Sequence, residues 1–502
     1  MSHSRTTQEP SLANGARARG SAGPRDKPQT VSMWLDLGNA RSRAGQVLDA
    51  IECYGNALRL NPDSGHTWNN FGNLFMHLRD VDSAVSCYRN AVRLLPSEAQ
   101  CAYGLGRALN LIGCHREARA HLARSSGLDP SHADVWINLG SAHQHLGHPR
   151  QALHCFDRAL ALSIDRAEAE TNRAMILLDQ GNFAEGWLAY EHRWELPAFA
   201  NVRERFVHRP QWKGEPLEGR RIMLYGEQGL GDMIQFSRFI PNVVARGADV
   251  FLEVPEPLRD LLRGLLAPGH ILARGESLPD FDLHCPLMSL PLALDLELNA
   301  IPNRPWLRAT DALRQQARQA IPAASLPIRT PLRAGLSWRG NPTHLWDRIR
   351  SLTPHHLAPL AQVSGVEWSL LQHDATPEET AALSRTMALA MIDETQLDGF
   401  LPTAALIEEL DLVISVDTAT AHLTGALGKP LWLMLPASYD WRWHSHLSES
   451  PWYPSARLFR QTEPGDWSGV VERVAAHLAQ LVAAGPPAES NSLPAHPIND
   501  DG

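Results

Sequence analysis

Hydrophobic and small residues recur every 34 positions over the first part of the chain, beginning near Val31. The recurring positions, phase by phase, are Trp34, Trp68 and Trp136; Gly38, Gly72, Gly106 and Gly140; Ala50, Ala84, Ala118 and Ala152; Tyr54, Tyr88, Leu122, Phe156 and Tyr190; and Pro62, Pro96 and Pro130. Small residues let two helices approach, large residues fill the space between them, and proline cannot supply the amide that would extend a helix. The pattern therefore predicts stacked helical hairpins.

The first period carries Trp34, Leu37 and Gly38 ahead of its alanine, aromatic and proline positions, and this order resembles the tetratricopeptide repeat. We predict an α-helical tetratricopeptide solenoid over residues 31–200, with clear repeats up to residue 166 and a degenerate one after it. The resemblance implies a concave surface that binds a protein partner. A rigid spacer or an oligomerisation arm is the alternative function of such a stack.

Residues 201–220 lose this periodicity and are predicted to form a linker. Beyond them, short apolar runs alternate with helical patterns, which indicates parallel α/β structure. The predicted strands are Ile222–Tyr225, Asp249–Val254, Arg333–Trp338, Glu367–Leu371, Leu412–Val416 and Leu431–Leu435. They divide into two α/β domains, 221–315 and 332–483, whose facing sides would enclose a small-molecule cleft. The polar segments 1–30 and 484–502 are predicted to be disordered tails.

A glycine-rich turn follows the first predicted strand. Gly226, Gly229 and Gly231 precede Asp232, which is predicted to cap a helix over Met233–Arg246. Such a turn presents backbone amides to an anion and places the carboxylate at the carboxyl edge of the sheet. Gly229 and Gly231 are therefore candidate phosphate-loop residues, and Asp232 is a candidate site residue. An ordinary strand-to-helix connection is the alternative.

A second candidate group follows the strand Leu412–Val416. Asp417 and Thr418 stand where a helix begins, so free amides and a hydroxyl there suit a diphosphate, and His422 follows one turn later. Plain helix capping, and a packed core histidine, are the alternatives for these residues.

Cationic and aromatic side chains supply further candidates. Arg339, Arg348 and Arg350 follow the strand Arg333–Trp338, and guanidinium groups bridge phosphate oxygens well, although a solvated charged loop would look the same. The segment 436–443 carries aromatic residues that could stack on a nucleobase or simply pack in the core.

Bulk composition narrows the classes of function. The 502 residues carry a net charge of −9, with 44% hydrophobic residues and no run of the roughly 20 apolar residues that crosses a bilayer. We expect a cytoplasmic protein with no nucleic-acid partner and no transmembrane segment, and the polar first 30 residues do not form a secretory signal. The 6 cysteines include no Cys-x2-Cys pair, so we expect neither a zinc site nor a disulfide framework.

Together these motifs resemble proteins in which tetratricopeptide repeats are fused to a family 9, heptosyltransferase-like glycosyltransferase domain. The family has a Leu-Gly-Asp turn followed by a proline, matched here by residues 230–232 and Pro241. It also has Asp-Thr-Gly-x-x-His followed by Gly-Lys-Pro, matched by residues 417–422 and 428–430, with Ala419 replacing the glycine. The family's lysine near the start of the second half is matched most nearly by Arg350.

The resemblance implies a GT-B pair of Rossmann-like domains and an inverting, metal-independent transfer from a nucleotide-diphosphate sugar, without a cofactor. Asp232 would match the general base, and Asp417, Thr418, His422, Arg348 and Arg350 would bind the donor. The acceptor would be a protein or a glycan recruited by the repeats, as the similar repeat-plus-GT-B order of protein O-linked N-acetylglucosamine transferases suggests. A non-catalytic repeat adaptor with a degenerate GT-B domain is the alternative.

Overall fold

A computed structural model describes residues 29–162, 166–321, 331–342, 347–390, 399–445, 447 and 449–484. Almost all of the two predicted disordered tails, at 1–28 and 485–502, lies outside these residues. The chain divides into two compact units, Met1–Pro96 and Ser97–Gly502. Within the described part of the chain, no helix is both long enough and apolar enough to cross a membrane.

The first unit contains two helical hairpins. Its helices are α1 (Val31–Arg43), α2 (Val47–Leu60), α3 (Gly65–His77) and α4 (Val81–Leu94). A Cβ atom at Gly38 would lie 2.6 Å from Cε1 of Tyr54, and one at Gly72 would lie 2.7 Å from Cε1 of Tyr88. The recurring glycine and aromatic positions are therefore direct packing partners within each hairpin.

The second unit begins with three more hairpins. Their helices are α5 (Ala99–Leu111), α6 (His115–Leu128), α7 (Ala133–His145), α8 (Pro149–Leu162), α9 (Ala167–Asp179) and α10 (Phe183–Tyr190). The last of these is only 8 residues long and continues as a 3-10 turn, Glu191–Glu195. Its buried aromatic residues Phe183, Trp187 and Tyr190 belong to the same apolar cluster as the α/β region. The degenerate repeat is thus part of the α/β core.

The predicted linker 201–220 is packed against the α/β region. It overlaps α11 (Ala200–Phe206), and the ring of Phe206 stacks on Tyr225 with 3.8 Å between ring centroids. Trp212 is also buried, at 1% exposure. The apolar residues of this segment are spaced too irregularly to show as a helix or strand pattern, although they anchor it in three dimensions.

The first α/β half contains a parallel sheet in the order β3-β2-β1-β4. Its elements are β1 (Arg221–Tyr225), α12 (Leu230–Phe236), α13 (Ile240–Val244), β2 (Asp249–Val254), α14 (Glu256–Leu262), β3 (Ile271–Ala273), β4 (Leu283–Pro286) and α15 (Leu290–Ala293). The single helix expected over Met233–Arg246 is instead two helices separated by the 3-10 turn Ser237–Phe239. Pro241 lies in the first turn of α13, where a missing amide costs no helical hydrogen bond.

The second half contains a parallel sheet in the order β6-β5-β7-β8-β9. Its elements, with the helix that precedes them, are α16 (Asp311–Ala320), β5 (Leu332–Ser337), α17 (Asp347–Arg350), α18 (Ala358–Ala361), β6 (Val366–Leu370), α19 (Pro377–Ser384), α20 (Phe400–Glu408), β7 (Leu412–Val416), α21 (Ala419–Ala426), β8 (Leu431–Leu435), β9 (Ala456–Arg460) and α22 (Trp467–Ala484). The sequence did not predict β9, because an edge strand that carries Arg457 and Arg460 lacks the continuous apolar run of a buried strand.

Candidate functional site

Loops from the carboxyl ends of both sheets surround a cavity of about 960 Å³. The loop after β1 supplies residues 228–232, and the loops after β5, β6, β7 and β8 supply the opposite side. Helices α7 and α9 of the repeats complete the wall with Ser141, Gln144, His145, Asn172 and Met175. The carboxyl edges of parallel sheets are where open α/β folds bind ligands, which makes this cavity the candidate site.

Asp232 lies on the first wall of the cavity, in the third position of α12. The helix begins at Leu230 with Gly229 as its N-cap, so the prediction that Asp232 caps the helix was wrong. Its Oδ2 atom instead accepts a hydrogen bond from the Gly229 amide at 2.9 Å. Its other oxygen, Oδ1, pairs with the guanidinium of Arg442, and the Asp232 side chain is 20% exposed.

Gly231 allows the starts of α12 and α21 to meet. A Cβ atom there would lie 2.6 Å from Cδ2 of His422 and 3.4 Å from Cα of Ala419. One at Gly229 would lie 3.2 Å from Oδ2 of Asp232. Both glycines line the cavity, and at Gly231 the space accounts for the residue type by packing alone. Phosphate binding by this turn stays a prediction.

Arg442 is a cavity residue that the sequence did not single out. It lies in the loop after β8, and its Nη1 atom donates to Oδ1 of Asp440 at 2.6 Å while Nη2 pairs with Asp232. Burial alone opposes the guanidinium charge, but Asp440 and Asp232 outweigh it and raise the pKa of Arg442. Its position in the segment that follows β8, at the carboxyl edge of the sheet, was the available signal, but its partner Asp232 is 210 residues away in sequence.

Asp417 and Thr418 lie opposite, at the start of α21. Burial, and then the neighbouring charge of Asp440, raises the pKa of Asp417 to about 6. Thr418 is the N-cap residue, but its side chain makes no capping hydrogen bond among the described residues. Its Oγ1 lies 3.3 Å from Oγ of Ser415. The plain-capping alternative therefore does not account for the Thr418 hydroxyl.

His422 is buried between the two halves, with 6% of the residue exposed. Its Nδ1 atom is 2.8 Å from the Tyr453 hydroxyl, and its Nε2 atom is 3.7 Å from Oδ1 of Asp417. Burial, followed by the charges of Arg442 and two other arginines, lowers the pKa of His422 well below its usual value. The ring is therefore neutral near pH 7. It is packed in the core, as the alternative for this residue predicted, and His422 also lines the cavity.

The three candidate arginines occupy different places. Arg350 lines the cavity, and its Nη1 atom donates to the backbone carbonyl of Asp417 at 3.0 Å. Arg339 also lines it, with its guanidinium paired to Asp374 and Glu379. Arg348 is exposed on α17 and is not among the lining residues. Thr343–Trp346 of the same loop lie outside the described residues.

The aromatic segment after β8 is divided between the cavity and the core. Tyr439 and Trp441 line the cavity. Trp443 is fully buried and stacks against His422 with 5.6 Å between ring centroids. Both functions that the sequence left open for this segment, an aromatic binding surface and core packing, therefore have residues that fit them.

The repeats are attached to the cavity by polar contacts as well as by apolar packing. Asp179, at the end of α9, accepts hydrogen bonds from the backbone amide and the hydroxyl of Ser445 at 2.8 and 2.6 Å. His145 of α7 contacts the hydroxyl of Ser438 in the loop after β8. The wall formed by α7 and α9 is thus fixed relative to the second half.

Behind the loop after β1, Arg193 of the repeat extension pairs with Glu227 at 3.0 Å, and both side chains are 1% exposed. Arg193 also contacts Glu191 at 2.7 Å and Oγ of Ser289 at 2.7 Å. Burial raises the pKa of Glu227 to about 7 despite this pairing. The repeat extension therefore supports the turn that carries Asp232.

Comparisons with known proteins identify the helical region. The sequence profiles described as tetratricopeptide repeat match residues 35–85, 69–133 and 133–165. The N-terminal region consists of tetratricopeptide repeats. Among curated proteins, the chain is 27% identical over 511 residues to "Protein FlbA" from Caulobacter vibrioides, covering 90% of this chain and 84% of that protein. That name states no activity.

Solved structures similar to the chain include MamA and a protein from Pseudomonas aeruginosa, PilF. The crystal structure of MamA is 20% identical, with a TM-score of 0.30, and the match covers 34% of this chain and 98% of that chain. Pseudomonas aeruginosa PilF is 21% identical, with a TM-score of 0.31, and the match covers 35% of this chain and 84% of that chain. Scores this low support no argument about function, and the resemblance of the α/β region to family 9 glycosyltransferases stays a prediction.

Proposed function

We propose that this protein is an inverting glycosyltransferase of the GT-B type. It moves a sugar from a nucleotide-diphosphate sugar to an acceptor hydroxyl, and its repeats recruit a protein or other macromolecular acceptor. The observation that carries the proposal is the cavity in which Asp232 from one α/β half lies opposite the helix start at Asp417 and Thr418 from the other. A cavity of about 960 Å³ is large enough for a ligand of this class.

The acceptor side of the reaction would use Asp232. The acceptor oxygen attacks the anomeric carbon, and its proton passes to the Asp232 carboxylate as the new carbon–oxygen bond forms. The bond between the anomeric carbon and the diphosphate breaks, and its electron pair leaves with the nucleoside diphosphate. Attack from the face opposite the leaving group inverts the anomeric configuration.

The donor side would use the start of α21. Negative charge grows on the departing diphosphate, and backbone amides at a helix start stabilise such charge, as do hydroxyl and guanidinium donors. Thr418 and Arg350 both line the cavity here. Arg350 already donates to the carbonyl of Asp417, so its guanidinium is held close to that helix start. Arg348 is exposed, which leaves it outside the proposed donor site.

The acceptor would reach the cavity along the repeats. Gln144 and Asn172, on the first helices of two successive hairpins, line the same cavity as Asp232. Side-chain amides offer both donors and acceptors, which suits the backbone of a polypeptide or the hydroxyls of a glycan. A macromolecule held by the repeats would thereby present its hydroxyl to Asp232.

The experiment begins with a panel of nucleotide sugars in a thermal-shift assay, because a ligand that binds the folded protein raises its melting temperature. The nucleotide sugar that raises the melting temperature most is then used as the donor. Release of nucleoside diphosphate from it is followed in wild type, Asp232→Asn and Asp260→Asn. Asp260 is the matched control, a surface aspartate that pairs with Arg263 and is 61% exposed. We expect Asp232→Asn to lose about 100-fold or more in rate while Asp260→Asn is unchanged. Equal rates in wild type and Asp232→Asn would remove the base assignment.

A second candidate function is a repeat adaptor whose α/β region does not turn over substrate. The contacts of Asp232 with Arg442 and the Gly229 amide favour it, because the same contacts stabilise a fold without any chemistry. The adaptor predicts no melting-temperature shift with any nucleotide sugar and no nucleoside diphosphate release. The two functions are therefore separated by the same assays.

A further inference from the structure

Arg442 is placed to do more than stabilise the fold. Its guanidinium lines the cavity, joins Asp232 of the first half to Asp440 of the second, and has a side-chain exposure of only 6%. Its buried Nε atom has no hydrogen-bond partner among the described residues. A guanidinium group that lines a cavity and carries several donors is a cation that an anionic ligand in the cavity can engage.

The surroundings of Arg442 hold it at the cavity wall. Its guanidinium carbon lies 4.6 Å from the centroid of the Trp441 ring, so the group stacks on an aromatic surface. Within the described part of the chain, two other guanidinium groups line the cavity. Arg339 is paired with Asp374 and Glu379, and Arg350 is held by Asp347 and the Asp417 carbonyl. Arg442 differs in its recorded partners, which are Asp440 and Asp232.

The contact between Asp232 and Arg442 conflicts with the proposed role of Asp232. A carboxylate that is paired with a guanidinium is a weaker base, because the cation stabilises its charged form. A diphosphate carries more negative charge than a carboxylate and offers several oxygens to the forked donors of arginine. It is therefore an effective competitor for Arg442.

We infer that Arg442 changes partner during the reaction, binding Asp232 before the donor enters and the donor's diphosphate afterwards, so that Asp232 is released to the acceptor hydroxyl. This inference rests on the proposed function and adds a residue to it. It makes Arg442 a donor-binding residue and makes Asp232 available only after the donor has bound. Donor binding would then precede productive acceptor binding.

The test measures binding of UDP, GDP, ADP and dTDP by calorimetry to the full chain. It compares wild type, R442Q, D232N and the double variant. We expect R442Q to weaken binding of the preferred nucleotide by about ten- to 100-fold, as for loss of a charged hydrogen-bond donor. We expect D232N to tighten binding, because the diphosphate no longer has to displace a carboxylate from Arg442.

The double variant separates partner exchange from simple charge repulsion. Repulsion between Asp232 and a diphosphate does not depend on Arg442, whereas partner exchange requires it. We therefore expect D232N to tighten binding at least about threefold more in the wild-type background than in the R442Q background. Equal tightening in both backgrounds would overturn the inference, and so would unchanged affinity in R442Q.

R442K keeps the charge but loses the forked donors, and it guards against a folding defect in R442Q. With a melting temperature equal to that of the wild type, R442K is expected to bind nucleotide more weakly than wild type, and wild-type affinity would contradict the inference. Failure of all four nucleotides to bind wild type would instead refute the proposed donor class, and the role of Arg442 with it. If the proposed function is wrong, wild type binds none of the nucleotides. If only the inference about Arg442 is wrong, wild type binds a nucleotide and the Arg442 variants bind it equally well.

Discussion

Gly231 and His422 lie so close that a single methyl group would not fit between them, since a Cβ atom at position 231 would lie 2.6 Å from Cδ2 of His422. The two residues come from different α/β halves, and their contact joins the starts of α12 and α21. This contact sets the distance between Asp232 and the Asp417–Thr418 helix start. It also connects the two motifs on which the resemblance to glycosyltransferases depends.

Gly231→Ala should therefore separate the two halves or displace the His422 ring. We expect a loss of about 1–3 kcal/mol in the free energy of unfolding, as for an overpacked core, together with weaker nucleotide binding. Gly264→Ala is the control, because a Cβ atom there meets nothing within 4 Å. Denaturant unfolding measures both variants, and equal stability of the two would show that the contact is not needed.

The repeats should not be separable from the α/β region at the predicted linker. The ring of Trp187, in the degenerate repeat, packs against Phe236 of the first half and Trp441 of the second. We expect a chain of residues 97–502 to fold, because Ser97–Gly502 is one compact unit. A chain of residues 201–502 should aggregate, because it exposes the apolar surface that Trp187 covers.

Size-exclusion chromatography and thermal melting of the two truncated chains make the comparison. A monodisperse, cooperatively melting 201–502 chain would show that the repeats are an attachment rather than part of the core.

The strands of the second sheet and the segment 201–220 show which features the sequence could predict and which it could not. The strands β7 and β8 were predicted to the residue because buried parallel strands are continuous apolar runs. The packing of the predicted linker could not be predicted, because its buried anchors, Phe206 and Trp212, have no regular spacing. Positions after strands could be identified as site candidates because the carboxyl edge of a sheet is a topological property.

Arg442 could not be identified in this way. Its importance comes from its contact with Asp232, which forms only when the two halves meet, and no local pattern records such a contact. The same holds for the helix over Met233–Arg246, which a 3-10 turn interrupts where the chain packs against its neighbours.

The pH dependence of donor binding should report on Asp417. Its pKa is raised to about 6, so it is mostly ionised above that pH and mostly protonated below it. An ionised Asp417 repels a diphosphate, and we therefore expect affinity for the nucleotide sugar to rise as the pH falls from about 8 to about 5.5. The sugar donor is the suitable ligand, because its diphosphate is esterified at both ends and does not titrate in this range.

Asp417→Asn is the control for this effect. The variant should bind the donor with an affinity that no longer depends on pH over the same interval, at a level close to that of wild type at the lower pH. A slope that persists in Asp417→Asn would assign the titration to another group.

The cavity wall formed by the repeats should affect the acceptor and not the donor. We expect Gln144→Ala and Asn172→Ala to raise the KM for a macromolecular acceptor by about three- to tenfold, the loss of one hydrogen bond each. Affinity for the nucleotide sugar should stay the same. Gln315→Ala, at an exposed position of α16, is the control. A larger effect on the donor than on the acceptor would place the acceptor elsewhere.

A crystal structure of the full chain with its preferred nucleoside diphosphate tests the central claim most directly, which is that the cavity between the two halves binds a sugar donor. We predict that the diphosphate lies at the start of α21, within hydrogen-bond distance of Thr418 and Arg350, with Asp232 facing the site that the sugar would occupy. A nucleotide bound outside this cavity, or one that leaves Thr418 and Arg350 without contact, would contradict the account.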